Sequence, residues 1–184
     1  QVYAVVLKFF VIFCVFIFLL VTLFIDFFKY FVGDEFRAGL EVVPILLLAN
    51  LCLGIYINLS IWYKLTDRTL LGALVSLTGA ALTIALNVWW IPLFGYVGSA
   101  WATLACYGSM AVVSYLLGQK YYPVNYDVKR VIAYIGLGIG LYYAHGQLLP
   151  TIAWQPWLLA SALMLLYVLI TALFEGRQAN VGTG

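Results

Sequence analysis

Charged residues are scarce in this chain. Asp, Glu, Lys and Arg make up 9% of its 184 residues, against about 25% in an ordinary soluble domain. Hydrophobic residues make up 66%, and a soluble domain of this size could not bury so much apolar surface. The net charge of +2 is too small to indicate nucleic-acid binding, so we expect no such partner.

Cysteine and histidine are also rare, with three and one residues. Cys14, Cys52 and Cys106 form no C-x-x-C pair, and we interpret them as apolar packing residues. We interpret His145 as an interfacial residue, because it lies near the outer end of an apolar stretch. The sequence contains no metal-binding cluster, serine triad, phosphate-binding loop or D-x-D motif. We therefore expect no enzyme activity, no cofactor and no metal.

Long apolar stretches fill most of the chain. Crossing about 30 Å of hydrocarbon takes roughly 20 helical residues, and six stretches reach or nearly reach that length. Within these stretches apolar and polar residues do not alternate, whereas they would alternate in the strands of a membrane barrel. We predict an all-α polytopic membrane protein with six transmembrane helices. The predicted spans are Tyr3–Ile25, Val42–Tyr63, Leu70–Ile91, Val97–Gly118, Val131–Leu149 and Trp154–Phe174.

Basic residues gather in alternate gaps between these spans. One side carries six: Lys64, Arg68, Lys120, Lys129, Arg130 and Arg177. The other side carries Lys29 and Arg37, and Lys8 lies inside the first span. The positive-inside rule therefore predicts that both chain ends and the more basic loops are cytoplasmic.

Two spans carry aligned polar residues. Asn50, Gly54 and Asn58 lie on one face of the second span. The third span has a ridge of Gly72, Ser76, Gly79, Thr83 and Asn87. These faces either line a hydrated pathway or bond to neighbouring helices. The pathway interpretation makes five residues candidate substrate contacts: Asn50, Asn58, Ser76, Thr83 and Asn87.

The other spans carry small residues or look mainly lipid-exposed. In the fifth span, Gly136 and Gly140 form a G-x-x-x-G pattern that predicts a helix contact. We expect the first and sixth spans to face mainly lipid.

Three segments resemble a known family of transporters. They are EVVPILLLAN with GIYINLSIWYKLT at 41–50 and 54–66, NVWWIPLFGYVGSAWAT at 87–103, and LGQKYYPVNY at 117–126. They resemble polysaccharide-biosynthesis exporters of the multidrug/oligosaccharidyl-lipid/polysaccharide export superfamily, in its O-antigen and lipopolysaccharide flippase branch. The versions from Bacteroidetes-type bacteria are the most similar. Pro92, Gly95 and Gly98 of the second segment predict a tight outer turn.

The resemblance implies a longer parent protein of about 12 to 14 helices in two lobes. Residues 1–174 would form the C-terminal transmembrane part, residues 175–184 a disordered cytoplasmic tail, and an N-terminal lobe would be missing. It implies a location in the bacterial inner membrane. It also implies transport of undecaprenyl-pyrophosphate-linked oligosaccharides across the lipid bilayer by alternating access.

Such a substrate needs basic groups at the cytoplasmic mouth to contact its pyrophosphate. The candidates are Lys64, Arg68, Lys120, Lys129 and Arg130, although these loops could serve topology alone. Three other functions stay open. A multidrug/cation antiporter of the same superfamily would need an intramembrane carboxylate. A membrane-embedded acyl- or glycosyltransferase would have to use His145, and a passive assembly partner would need no such group.

Overall fold

The structure, a computed structural model, describes residues 2–148 and 156–181. Within these ranges every regular element is a helix, and no strand occurs. The elements are α1 (Val2–Leu23), α2 (Ile25–Phe28), a 3₁₀ helix (Asp34–Val42), α3 (Val43–Leu59), α4 (Ile61–Leu65), α5 (Thr69–Tyr121), α6 (Val128–Leu148) and α7 (Pro156–Val181). The all-α prediction is confirmed.

Four helical segments of the described chain are long and apolar enough to cross a membrane. They are Val2–Leu23, Asp34–Leu65, Thr69–Tyr121 and Trp157–Gly176. They support a membrane protein by their length and composition. The helix α6 is 21 residues long but is not among them, because glycines, tyrosines, His145 and Gln147 lower its hydropathy.

The helix α5 is two antiparallel arms joined at Gly95. A straight helix of its 53 residues would be about 80 Å long, far more than one crossing needs. Gly95 has φ 59° and ψ −141° and interrupts the helix. The Cys106 thiol donates a hydrogen bond to the Gly79 carbonyl at 3.1 Å, across 27 residues of sequence. The chain therefore reverses at Gly95, which supports the predicted tight turn between the third and fourth spans.

The chain packs as two units, and the first consists of Gln1–Phe9 and Glu41–Asp127. Here α3 and α4 lie against α5. The ridge on the first arm of α5 packs closely: Gly72 lies against the Tyr63 ring and Gly79 against Met110. The buried core contains Tyr56, Trp62, Tyr63, Val75, Cys106, Met110 and Ala111.

The second unit consists of Phe10–Leu40 and Val128–Gly184, and it includes α1 from Phe10 onward. Val11, Val15 and Leu19 are buried at four-residue spacing. The Tyr167 hydroxyl of α7 donates a hydrogen bond to the Ile12 carbonyl at 2.9 Å. One face of the first span thus packs against neighbouring helices, and that the span faces mainly lipid stays a prediction.

The predicted helix contact through Gly136 and Gly140 is not made by the described residues. A Cβ atom built on either glycine meets no described atom within 4 Å. A Cβ on Gly138 would overlap the Val15 side chain, 2.4 Å from its Cγ1 atom. Gly138 is two residues from each of the others and so lies on the opposite side of α6.

The helix α7 continues past the predicted end of the sixth span at Phe174. It ends at Val181, and the Tyr134 hydroxyl donates a hydrogen bond to Glu175 at 2.7 Å. Residues 175–181 are thus helical, which corrects the predicted disordered tail for this stretch. Residues 182–184 lie outside the described residues.

Candidate functional site

Three of the predicted phosphate-contacting residues meet at one end of the first unit. Lys64 lies in α4, Arg68 precedes α5, and Lys120 lies near the end of its second arm. The Arg68 Cζ atom is 4.2 Å from the centroid of the Tyr121 ring, and the Lys120 ammonium is 5.5 Å from it. All three basic side chains are exposed. We call Lys64, Arg68 and Lys120 the basic cluster.

An aromatic stack lies against Arg68 and Lys120 of the cluster. Tyr121 stacks on Trp62 with ring centroids 5.8 Å apart and an interplanar angle of 26°. Trp62 in turn contacts the Tyr63 ring, 4.2 Å between centroids. The indole N–H of Trp62 donates to the Ser114 carbonyl at 3.4 Å, and Gly118 leaves room for the indole. A cation over such a ring is attracted and oriented without losing its charge.

The basic residues of the cluster are not paired with any described carboxylate. Lys29 pairs with Asp26 and Arg37 with Asp34. In the described part of the chain, no ion pair engages any member of the basic cluster. A group of exposed, unpaired cations attracts anions.

The other two predicted basic residues belong elsewhere. Lys129 and Arg130 lie in the first turn of α6, in the second unit. Arg130 already takes part in an interaction of its own. The set of five proposed from the sequence is thus divided between the two units.

A cavity of about 530 Å³ opens beside the end of α5, within the roughly 300–1,000 Å³ typical of ligand sites. It is lined by Val2, Tyr3, Tyr122, Pro123, Val124 and Asn125. Gln119 donates to the Val124 carbonyl at 2.7 Å, which fixes this non-helical segment. Burial, and then the neighbouring Tyr122 and Tyr3, raise the pKa of Tyr126, so its phenol stays neutral. No motif in the sequence indicated this cavity, because it needs the start of α1 beside residues 122–125.

The two asparagines of α3 bond to their own helix. The Asn50 amide donates to the Leu46 carbonyl at 2.8 Å, and the Asn58 amide donates to the Gly54 carbonyl at 2.9 Å. Asn50 is exposed and Asn58 half-buried. Their face of α3 is therefore not held by an interhelical amide bond in the described structure.

Ser76 meets α3 on a different face. Its hydroxyl lies 2.9 Å from the Tyr56 hydroxyl and donates to the Gly72 carbonyl at 3.1 Å, so Tyr56 donates to Ser76. At about 100° per residue, Tyr56 lies about 120° around α3 from Asn50 and about 160° from Asn58. The α3–α5 contact thus brings Ser76 to Tyr56, which the sequence did not single out, and not to the asparagines.

Thr83 and Asn87 line a shallow groove of about 420 Å³ on the first arm of α5. Ile84, Val88, Ile91 and Pro92 complete its mainly apolar wall. The Asn87 amide donates to the Thr83 carbonyl at 2.9 Å. Its Oδ1 atom is buried and accepts no hydrogen bond from the described residues. That Asn50, Asn58 and Asn87 contact a substrate remains a prediction.

The chain was compared with known proteins in three ways. No family model, no curated protein and no solved structure matches it. The resemblance to polysaccharide exporters therefore rests on the three sequence segments alone.

Proposed function

We propose that this chain is the C-terminal part of a flippase that moves lipid-linked oligosaccharides across the bacterial inner membrane. The substrate is of the undecaprenyl-pyrophosphate type, and transport occurs by alternating access. The chain works with an N-terminal lobe of the same protein, in a complete exporter of about 12 to 14 helices. Both ends of the chain lie in the cytoplasm.

The basic cluster is the observation that carries this proposal. Lys64, Arg68 and Lys120 are exposed and, among the described residues, unpaired with any carboxylate. A pyrophosphate is a compact anion with several strong acceptor oxygens, and ionised donors bind such groups most strongly. The Arg68 guanidinium can bind two of these oxygens through its rigid planar fork of donors, a geometry that a lysine ammonium lacks.

The cavity beside the cluster has the chemistry of a sugar site. Tyr3, Tyr122 and Asn125 line it, and their side chains offer neutral hydrogen-bonding groups and aromatic surface. Sugar hydroxyls need such neutral donors and acceptors. Tyr122 directly follows Tyr121, on which Arg68 and Lys120 lie. The basic residues would thus bind the pyrophosphate, and the neutral groups that follow them in the chain would bind the first sugars.

The test is transport by the complete gene product in liposomes that contain a fluorescent undecaprenyl-pyrophosphate oligosaccharide. In one variant the cluster carries Lys64→Gln, Arg68→Gln and Lys120→Gln. Each charge-assisted contact contributes about 1.5–3 kcal/mol, so we expect transport to fall at least about tenfold. Arg68→Lys keeps the charge and loses the planar two-point contact, so transport should fall less in this variant.

The matched control carries Lys29→Gln and Arg37→Gln, which remove cations that already pair with carboxylates. We expect this variant to transport within about twofold of the parent, since surface ion pairs contribute little. Labelling of introduced cysteines from each side of the membrane reports orientation. If the cluster variant keeps both its orientation and its transport rate, the cluster does not bind substrate and the proposal is wrong.

A further inference from the structure

His145 lies in a small cavity within the second unit. The cavity measures about 20 Å³ and is lined by Leu23, Phe24, Asp26, His145 and Trp157. It thus joins the end of α1, the short helix α2, the end of α6 and the start of α7. The Nε2 atom of His145 is buried and has no hydrogen-bond partner among the described residues. Burying such an atom is unfavourable unless something bonds to it.

The size of the cavity fits one water molecule. A buried water needs roughly 10–15 Å³ and two or more polar partners. His145 and Asp26 both line the cavity, so the imidazole and the carboxylate are the two polar side-chain groups available to such a water. The remaining wall is apolar: Leu23, Phe24 and Trp157.

The charged surroundings of His145 are simple. Asp26 is the ionisable group that lines the cavity with it, and Lys29 pairs with Asp26 from the same short helix. The residue of α7 that lines the cavity is Trp157. Its ring centroid lies 5.9 Å from that of Phe24 and 6.2 Å from that of Phe27. Asp26 is therefore the group whose interaction with His145 changes when His145 is protonated.

We propose that this cavity is a binding site for one water molecule and one proton. In the neutral state, the water bridges His145 Nε2 and the Asp26 carboxylate. When His145 takes a proton from solvent, both ring nitrogens become donors, and the imidazolium forms a charge-assisted bond toward Asp26. Protonation then fastens the end of α6 to α2, and no other reactant is needed. This site is separate from the basic cluster and does not depend on the proposed transport.

The first measurement is amide hydrogen exchange of residues 24–30 and 143–148 at pH 5.5 and 7.5, corrected for the intrinsic pH dependence of exchange. It uses the complete gene product in nanodiscs. We expect protection to be about two- to fivefold greater at pH 5.5, the size expected of a half-exposed ion pair. His145→Gln and Asp26→Asn should each remove the difference. Asp34→Asn is the control, because Asp34 pairs with Arg37 and does not line the cavity; it should keep the difference.

A second measurement follows the protonation of His145 directly. The His145 imidazole can be followed by NMR with a ¹⁵N label, assigned by comparison with His145→Gln. In Asp26→Asn, loss of the carboxylate should move the midpoint of this titration to lower pH. Equal midpoints in the parent and in Asp26→Asn would overturn the proposal. So would a pH-dependent protection that persists in His145→Gln.

Discussion

Replacing Gly95 by alanine should strain the turn that reverses α5. Gly95 has φ 59° and ψ −141°, a combination that residues with a side chain hardly adopt. Holding such a residue there costs of order 1–3 kcal/mol. A Cβ atom at this position would meet no described atom within 4 Å, so the cost comes from the backbone conformation and not from a clash. We therefore expect Gly95→Ala to lower the free energy of unfolding by about 1–3 kcal/mol.

Alanine substitutions at two other glycines, both in the second arm, distinguish backbone strain from steric crowding. At Gly98 a Cβ atom would lie 2.5 Å from the Trp90 carbonyl oxygen, and a backbone atom cannot rotate away. Gly98→Ala should thus cost at least as much as Gly95→Ala. At Gly108 the backbone is helical and the space is open. There alanine should be neutral or stabilise by up to about 1 kcal/mol.

The assay is unfolding in detergent micelles by added denaturant, followed by helical circular dichroism. We expect Gly108→Ala to be at least as stable as the parent. Gly95→Ala and Gly98→Ala should both be less stable than the parent. If Gly95→Ala is as stable as Gly108→Ala, the reversal of α5 does not depend on this backbone conformation, and the account of the turn is refuted.

Two further pairs of variants test the packing of α6 and the aromatic stack. Gly138→Ala would bring a Cβ atom against the branched Val15 side chain and should destabilise the protein by about 1–3 kcal/mol. Gly136→Ala is the control and should not destabilise it. Equal unfolding curves of the two variants would contradict the α1–α6 contact. Tyr121→Leu removes the ring beneath Arg68 and should weaken binding of undecaprenyl pyrophosphate in nanodiscs about two- to fivefold. Tyr121→Phe keeps the ring and should bind like the parent, and a loss as large as that of Tyr121→Leu would show that the ring face is not what matters.

The helices and the turn in α5 were predictable because their signals are local. Apolar length indicates a membrane helix, and Pro92 with Gly95 marks a turn in an otherwise apolar run. The positive-inside rule placed Lys64, Arg68 and Lys120 on one side, and the structure brings them to one end of the first unit. The aromatic ring that Arg68 and Lys120 share was not predictable, because its place beside Arg68 depends on the return of the second arm.

The residues by which the apolar helices pack were not predictable, for a physical reason. Lipid tails and protein interiors are equally apolar, so the pattern of a membrane helix does not distinguish them. The burial of Val11 and Val15 in α1 therefore left no mark in the sequence. In α6, glycines at every second position occupy both sides of the helix, and only the structure shows that Gly138 makes the contact.

The asparagines show a further limit of sequence patterns. Spacing places Asn50 and Asn58 on one face, but it does not say what their amides bond to. In the structure both amides donate to carbonyls one turn earlier in α3, a local bond that competes with any partner across the bundle. Their alignment alone therefore did not distinguish a pathway from interhelical bonding.

The most direct test of the proposed function is the transbilayer movement of its substrate. Liposomes with the complete gene product would receive undecaprenyl-pyrophosphate oligosaccharide in one leaflet, and a membrane-impermeant reagent would measure its arrival in the other. The account predicts movement well above that in protein-free liposomes, and little movement of a fluorescent phospholipid that lacks pyrophosphate and glycan. Movement no faster than in protein-free liposomes, with the protein correctly inserted, would contradict it.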